Sequence, residues 1–273
     1  SYESGSRLLP AHIGAGLALF DADRDGDLDL YLVQGNDRLP GIGKQSDLPN
    51  RFFRQESPWQ FVDATAESGL GDGGFGIGAT TGDFDNDGWT DIYVSNYGPD
   101  VLYRNRGDGT FEDVTESAGI DVQGFSASCA FADIDRDGDL DLFITQYVEF
   151  DAETKCTSAA GRPEFWGPEA FPPSRNILLR NDGDGTFTNI STESGIASIA
   201  AASLGICCDD FNGDGWIDFY VANDAHENNL WINQKDGTFV DDAAILGVSL
   251  NLNGQKEAGM GVIAADLDGN SST

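Results

Sequence analysis

The candidate chemistry of this chain lies in its aspartates, which recur in one spaced pattern, D-x-[DN]-x-D-G-x-x-D. The first copy holds Asp21, Asp23, Asp25, Gly26 and Asp29, and the second Asp83, Asp85, Asp87, Gly88 and Asp91. The third holds Asp133, Asp135, Asp137, Gly138 and Asp141, and the fourth Asp210, Asn212, Asp214, Gly215 and Asp218. A fifth begins with Asp266, Asp268 and Asn270, has Ser271 in place of the glycine, and meets the last residue, Thr273, before any closing acid. Side chains at positions 1, 3 and 5 of a tight loop are expected to converge on one point, and a glycine at 6 allows the sharp turn. A backbone carbonyl at position 7 (Asp27, Trp89, Asp139 or Trp216) and the carboxylate at 9 complete an all-oxygen shell. Such a shell suits Ca2+ over metals that prefer softer ligands.

A solvated acidic turn is the plain alternative for any single copy. Four complete copies in register favour the metal, so four complete calcium sites and a partial fifth are expected. The loops begin like an EF-hand loop, but the closing acid comes at position 9 rather than 12, and strands replace the flanking helices. Without a cation each loop would gather three or four carboxylates, with repulsion of roughly 4 kcal/mol per close pair in a partly buried setting. The chain as a whole carries 47 acidic against 15 basic residues, a formal charge of -32. Four dications would bring that to -24, still strongly acidic. This balance excludes nucleic acid, whose phosphates need clustered Lys and Arg, and argues against anionic lipid. The longest weakly polar stretch, Ile196 to Cys208, is 13 residues, too short to span a bilayer, so no membrane insertion is expected. No charged-then-apolar leader precedes Ser1, so any secretion signal is read as removed or never part of this chain.

The elements that must position these loops follow from the repeat. With 273 residues, 40% of them hydrophobic, the chain can build a core. The pattern starts at 21, 83, 133, 210 and 266, which places insertions on a unit of about 50 residues. Before each loop lies a small, apolar segment such as Gly14 to Phe20, and after it an apolar run such as Leu30 to Val33 or Ile92 to Val94. An N-x-L-like segment follows (Asn50 to Phe53, Asp100 to Tyr103, Asn176 to Leu179, Asn228 to Trp231), then a tight Gly-rich turn such as Gly107-Asp108-Gly109, then a last short strand. Four short antiparallel strands per unit, repeated radially, make a β-propeller. The expected fold is therefore all-β, with about four and a half four-stranded blades. The units fall approximately at 14–70, 71–120, 121–196 and 197–248, with a partial unit at 249–273.

The loops resemble the FG-GAP and VCBS repeats of integrin α-chain propellers. The wider pattern is similar to proteins related to cartilage acidic protein, which carry a C-terminal ASPIC and UnbV domain. The matching stretches are Gly16 to Asp21, Leu102 to Asn105, Gly107 to Phe111 and Glu257 to Val262. The resemblance implies a calcium propeller of about seven blades, secreted, at the cell surface or periplasmic, with no established catalytic residues. The appended domain is absent and the repeats are too few for such a ring. A fragment of a longer protein, or its ordered part, is therefore expected, with association through open propeller edges.

If the metal loop joins the first two strands, the connection between strands two and three lies on the opposite face. Insertions fall there, at Gly35 to Pro49 and Gln146 to Ser174, and such insertions often mark a binding face. The second includes Cys156, Arg162, Glu164, Phe165, Trp166 and Arg175. Its aromatics either anchor a protein or glycan partner or fold back to plug the gap between blades. His12 and His226, the two histidines, are far apart in sequence, and no nucleophile-elbow or HExxH motif occurs. Cys129, Cys207 and Cys208 fall on equivalent inner strands, as a bridge between blades or as buried thiols, and a local bridge from Cys156 is disfavoured. The favoured function is a noncatalytic extracytoplasmic adhesion or recognition module with structural calcium. The alternative is a polysaccharide-acting enzyme or its accessory propeller, although no unassigned carboxylate pair is left for it.

Overall fold

The structure, a computed structural model, describes residues 9–35, 48–151, 154 and 166–265. The partial fifth loop (Asp266, Asp268, Asn270) and Cys156, Arg162, Glu164 and Phe165 of the long insertion lie outside the described residues.

The fold is all-β. Blade 1 comprises β1 (Leu17–Phe20), β2 (Asp29–Leu32), β3 (Arg51–Ser57) and β4 (Gln60–Asp63). Blade 2 follows with β5 (Phe75–Gly82), β6 (Asp91–Tyr97), β7 (Val101–Asn105) and β8 (Phe111–Asp113). Blade 3 holds β9 (Ser126–Ala132), β10 (Asp141–Gln146), β12 (Ile177–Asn181) and β13 (Phe187–Asn189); β11 (Ser174–Arg175) pairs instead with β14 (Ala200–Ala201). Blade 4 holds β15 (Ser203–Asp209), β16 (Asp218–His226), β17 (Asn229–Asn233) and β18 (Phe239–Asp241). The far end of β16 also pairs with β19 (Glu257–Ala258). Every neighbouring pair within a blade is antiparallel, so each blade is a meander of four strands.

The first strands of successive blades, β1, β5, β9 and β15, pack side by side. They can do so because small residues face the neighbour. Gly16 donates its amide to Ile77 O at 2.7 Å, and a Cβ on Gly78 would lie 2.6 Å from Ala127 O. The second strands of blades 2 and 3 are covered on both faces, which is why they read as unbroken apolar runs rather than alternating ones. Along β6, Ile92 and Val94 join Phe20, Tyr31 and Phe52 of blade 1, while Tyr93 joins Leu142 and Ile144 of blade 3. One phenylalanine at the start of each fourth strand recurs in these cores. Phe111 lies 6.3 Å from Phe20 of blade 1, and Phe187 lies 5.8 Å from Phe84 of blade 2, measured between ring centroids. Phe239 sits with Ile134 of blade 3. Their counterpart in blade 1, Phe61, is 38% exposed, and Leu17 and Leu19 of β1 are more than half exposed.

Candidate metal centre

Each aspartate pattern forms the connection from the first to the second strand of its blade, on one end of the fold. Two devices shape the loop. The aspartate at position 1 accepts the amide of the position-6 glycine: Asp21 from Gly26 at 3.1 Å, Asp83 from Gly88 at 2.8 Å, Asp133 from Gly138 at 3.2 Å, Asp210 from Gly215 at 2.7 Å. The aspartate at 9 ties the loop to the sheet. Asp91 accepts the Phe84 amide at 3.0 Å with one oxygen and the Asn105 amide of β7 at 2.8 Å with the other. Asp29, Asp141 and Asp218 repeat both contacts.

In three loops the carboxylates at positions 1, 3 and 9 come together. Asp21, Asp23 and Asp29 offer oxygens within 4.8 Å of one another, as do Asp83, Asp85 and Asp91, and Asp133, Asp135 and Asp141. Position 5 stands outside these groups. Asp25, Asp87 and Asp137 each accept the amide of residue 7 instead, at 2.8 to 2.9 Å. In the fourth loop position 3 is Asn212, so only Asp210 and Asp218 of the corresponding trio are carboxylates, and Lys235 Nζ lies 3.2 Å from Asp214 Oδ2. In loops 1 and 2 one oxygen of the position-1 aspartate, Asp21 Oδ1 and Asp83 Oδ1, is buried with no hydrogen-bond partner among the described residues. Burial pushes Asp91 and Asp141 up to about 7, against the pull of their two backbone amides. Asp29 and Asp218 are raised for the same reason, and Asp85 and Asp135 are raised by burial and by neighbouring aspartates.

The loops also touch one another. Position 4 of one loop meets positions 6 and 7 of the next. The Arg24 guanidinium stacks 4.8 Å from the Trp89 ring centroid, and Arg136 stacks 5.5 Å from that of Trp216. Between them Asn86 donates to Asp139 Oδ1 at 2.6 Å and to Gly138 O at 3.3 Å. These three position-4 residues all hold a left-handed backbone, with φ of 55° to 65°. The asparagine that ends the third strand of blades 2, 3 and 4 makes a second clasp. Asn105 donates to Ala22 O of the preceding loop at 2.8 Å, Asn181 to Phe84 O at 2.7 Å and Asn233 to Ile134 O at 2.8 Å. The spacing of the aspartates gives no sign of these contacts, although the recurrence of Asn105, Asn181 and Asn233 six residues before each final-strand phenylalanine was a readable signal.

On the opposite end, Tyr97, Phe125, Tyr147, Phe150 and Phe171 form a continuous aromatic cluster, with successive ring centroids 5.1 to 5.8 Å apart. The gap there is filled by Phe150 and Phe171, while Trp166 is 41% exposed. His226 Nδ1 lies 2.9 Å from Asp224 O, a contact within its own turn. Cys129, Cys207 and Cys208 are free thiols on β9 and β15.

A family model for the FG-GAP-like repeat matches residues 21–94, 83–144 and 210–272, together more than half of the chain. The chain belongs to the FG-GAP-like repeat family. Each matched stretch opens on the first aspartate of a metal loop: Asp21, Asp83 or Asp210. No curated protein matches. A solved Agrocybe aegerita lectin, described as recognising non-reducing terminal N-acetylglucosamine, is similar at 17% identity with a TM-score of 0.42. The likeness covers 82% of this chain and 50% of the lectin, so the chain spans about half the length of that protein. No helix among the described residues is long and apolar enough to cross a membrane.

Proposed function

We propose that this chain is a calcium-stabilised segment of a larger propeller, of about seven blades, acting as a noncatalytic recognition or adhesion module outside the cytoplasm. The observation that carries the calcium reading is the pair of orphaned oxygens, Asp21 Oδ1 and Asp83 Oδ1, each buried beside a group of three carboxylates. A buried acceptor without a donor costs about 1–3 kcal/mol, more when charged, and a cation removes that cost. The donors are all oxygen, which fits Ca2+. In loops 1 to 3 the ligands are Asp21, Asp23 and Asp29, Asp83, Asp85 and Asp91, and Asp133, Asp135 and Asp141, with position 5 and the position-7 carbonyl available to close the shell. Calcium supplies the positive charge that lets these carboxylates stay ionised in a buried setting. The recognition role is assigned to the end opposite the loops, where Trp166 and Arg175 offer an aromatic and a cation to a protein or glycan partner.

The test is thermal melting with chelator and after calcium is restored. A metal bound only by the folded chain adds about 4 kcal/mol per site at a thousandfold excess over Kd. We expect a large fall in Tm with chelator and full recovery with calcium. An unchanged melting curve overturns the calcium reading.

A further inference from the structure

In blades 2 and 3 the turn from third to fourth strand opens on a glycine, Gly107 or Gly183, with φ of 72° and 74°. A Cβ on Gly107 would lie 2.6 Å from the Trp89 ring, and one on Gly183 would lie 2.7 Å from Asp139 Oδ2. The side chain at loop position 7 therefore fills that space. Blade 4 carries Lys235 at the same place, in the same left-handed conformation at φ 67°. Its amide donates to Asn233 Oδ1 at 2.8 Å, as Gly107 donates to Asn105 and Gly183 to Asn181. The turn is thus conserved among the blades and only the side chain is new. A lysine accepts a conformation that favours glycine, and its side chain reaches across the fourth loop to set Nζ 3.2 Å from Asp214 Oδ2. Asn212 Nδ2 donates to the same oxygen at 3.1 Å. Both Asp210 oxygens are meanwhile taken by loop amides, those of Asp214 and Gly215.

We propose that Lys235 is a resident cation of the fourth loop, competing with Ca2+ for Asp214, so that this loop fills only after the other three. The inference rests on the calcium reading above. An ammonium ion meets the charge of one carboxylate, and a dication entering the loop must displace it and then tolerate it nearby. Asn212, where the other loops have aspartate, weakens the pull on the dication further. The result is one site graded to a higher calcium concentration than its neighbours.

The experiment is calorimetric calcium titration of the whole chain, with native mass spectrometry counting the ions. The fourth-loop step is identified as the one that Asp210→Ala removes. We expect it to be at least tenfold weaker than the steps removed by Asp21→Ala, Asp83→Ala and Asp133→Ala. Lys235→Met nearly keeps the side-chain length without the charge, and Lys235→Gly restores the turn of blades 2 and 3. Each should tighten the fourth-loop step at least fivefold and leave the other three within twofold. A fourth-loop step as tight as the others in the unmodified chain, or one unmoved by both substitutions, overturns the role of Lys235 and leaves the calcium reading standing. A folded chain that takes up no calcium overturns both.

Discussion

Asp100 stands where three blades carry asparagine, and the comparison sets its charge. Asn50, Asn176 and Asn228 each accept an amide from the end of the second strand with Oδ1, and Asp100 accepts the Asn96 amide in the same way at 2.7 Å. The other arm differs. Asn50 Nδ2 donates to Tyr31 Oη at 2.9 Å, whereas Tyr93 must donate to Asp100 Oδ2, at 2.8 Å. Burial pushes the Asp100 carboxyl up to about 7, only partly offset by its hydrogen bonds. A folded pKa raised above the unfolded one gives stability that is complete below about pH 4 and is lost as pH rises through about 7. Asp100→Asn should therefore match the unmodified chain at pH 4 and exceed it by up to about 4 kcal/mol at pH 8, since three pH units at 1.36 kcal/mol each set the limit. Chemical denaturation of both proteins across that range, with calcium held saturating, measures the gap. A gap independent of pH would mean that Asp100 is ionised throughout.

Blades are held together by more than apolar packing. Asn105 is fully buried, and its side chain spends both hydrogen-bonding ends between blades and within its turn: Nδ2 to Ala22 O and Thr90 O, Oδ1 from the Gly107 amide. Asn105→Ala leaves those backbone groups unmet in a dry interface. At about 1–3 kcal/mol for each unsatisfied group, with partial relaxation, a loss of about 3 kcal/mol is expected in urea unfolding. Because Ala22 belongs to the first loop, the same substitution should weaken calcium binding at loop 1 as well as loosen blade 2. Repeat proteins share energy chiefly between nearest neighbours, so loops 3 and 4 should keep their affinities. A uniform loss at all loops would mean that the four blades respond as one cooperative body.

Across the whole molecule, the interfaces between blades are built alike, and among the described residues blade 1 exposes the apolar side chains that such an interface buries. Phe111, Phe187 and Phe239 are each buried, while Phe61 is 38%, Leu17 55% and Leu19 54% exposed on blade 1. An apolar face of this kind favours association with another blade-like surface. The charge of -32 opposes association between copies at low salt and is screened as salt rises. Sedimentation velocity should therefore show self-association that grows with protein and salt concentration. Leu19→Gln combined with Phe61→Gln should reduce it while moving Tm little, because these side chains lose little packing within the chain. Association unaffected by the pair would place the contact elsewhere.

Legible from the sequence were the period, the strands and the loops, because each is local. A glycine at position 6 of a tight turn, an apolar run after it and a Gly-rich hairpin are demands of adjacent residues, and they recur visibly. The all-β class followed from them. What the tertiary structure alone decided were contacts across blades, between residues tens of positions apart. Arg24 on Trp89 and Asn181 on Phe84 O are of this kind, and Lys235 on Asp214 joins two separate loops within blade 4. The fourth loop already differs at Asn212 when its own nine residues are read, and Lys235 of the third-to-fourth-strand turn reaches into it as well. Position 5 turns to the amide of residue 7, a bond within the loop itself, while position 9 is tied to the sheet by an amide of the third strand. Local spacing fixes which side chains can meet, and the packing of strands against strands decides which of them do.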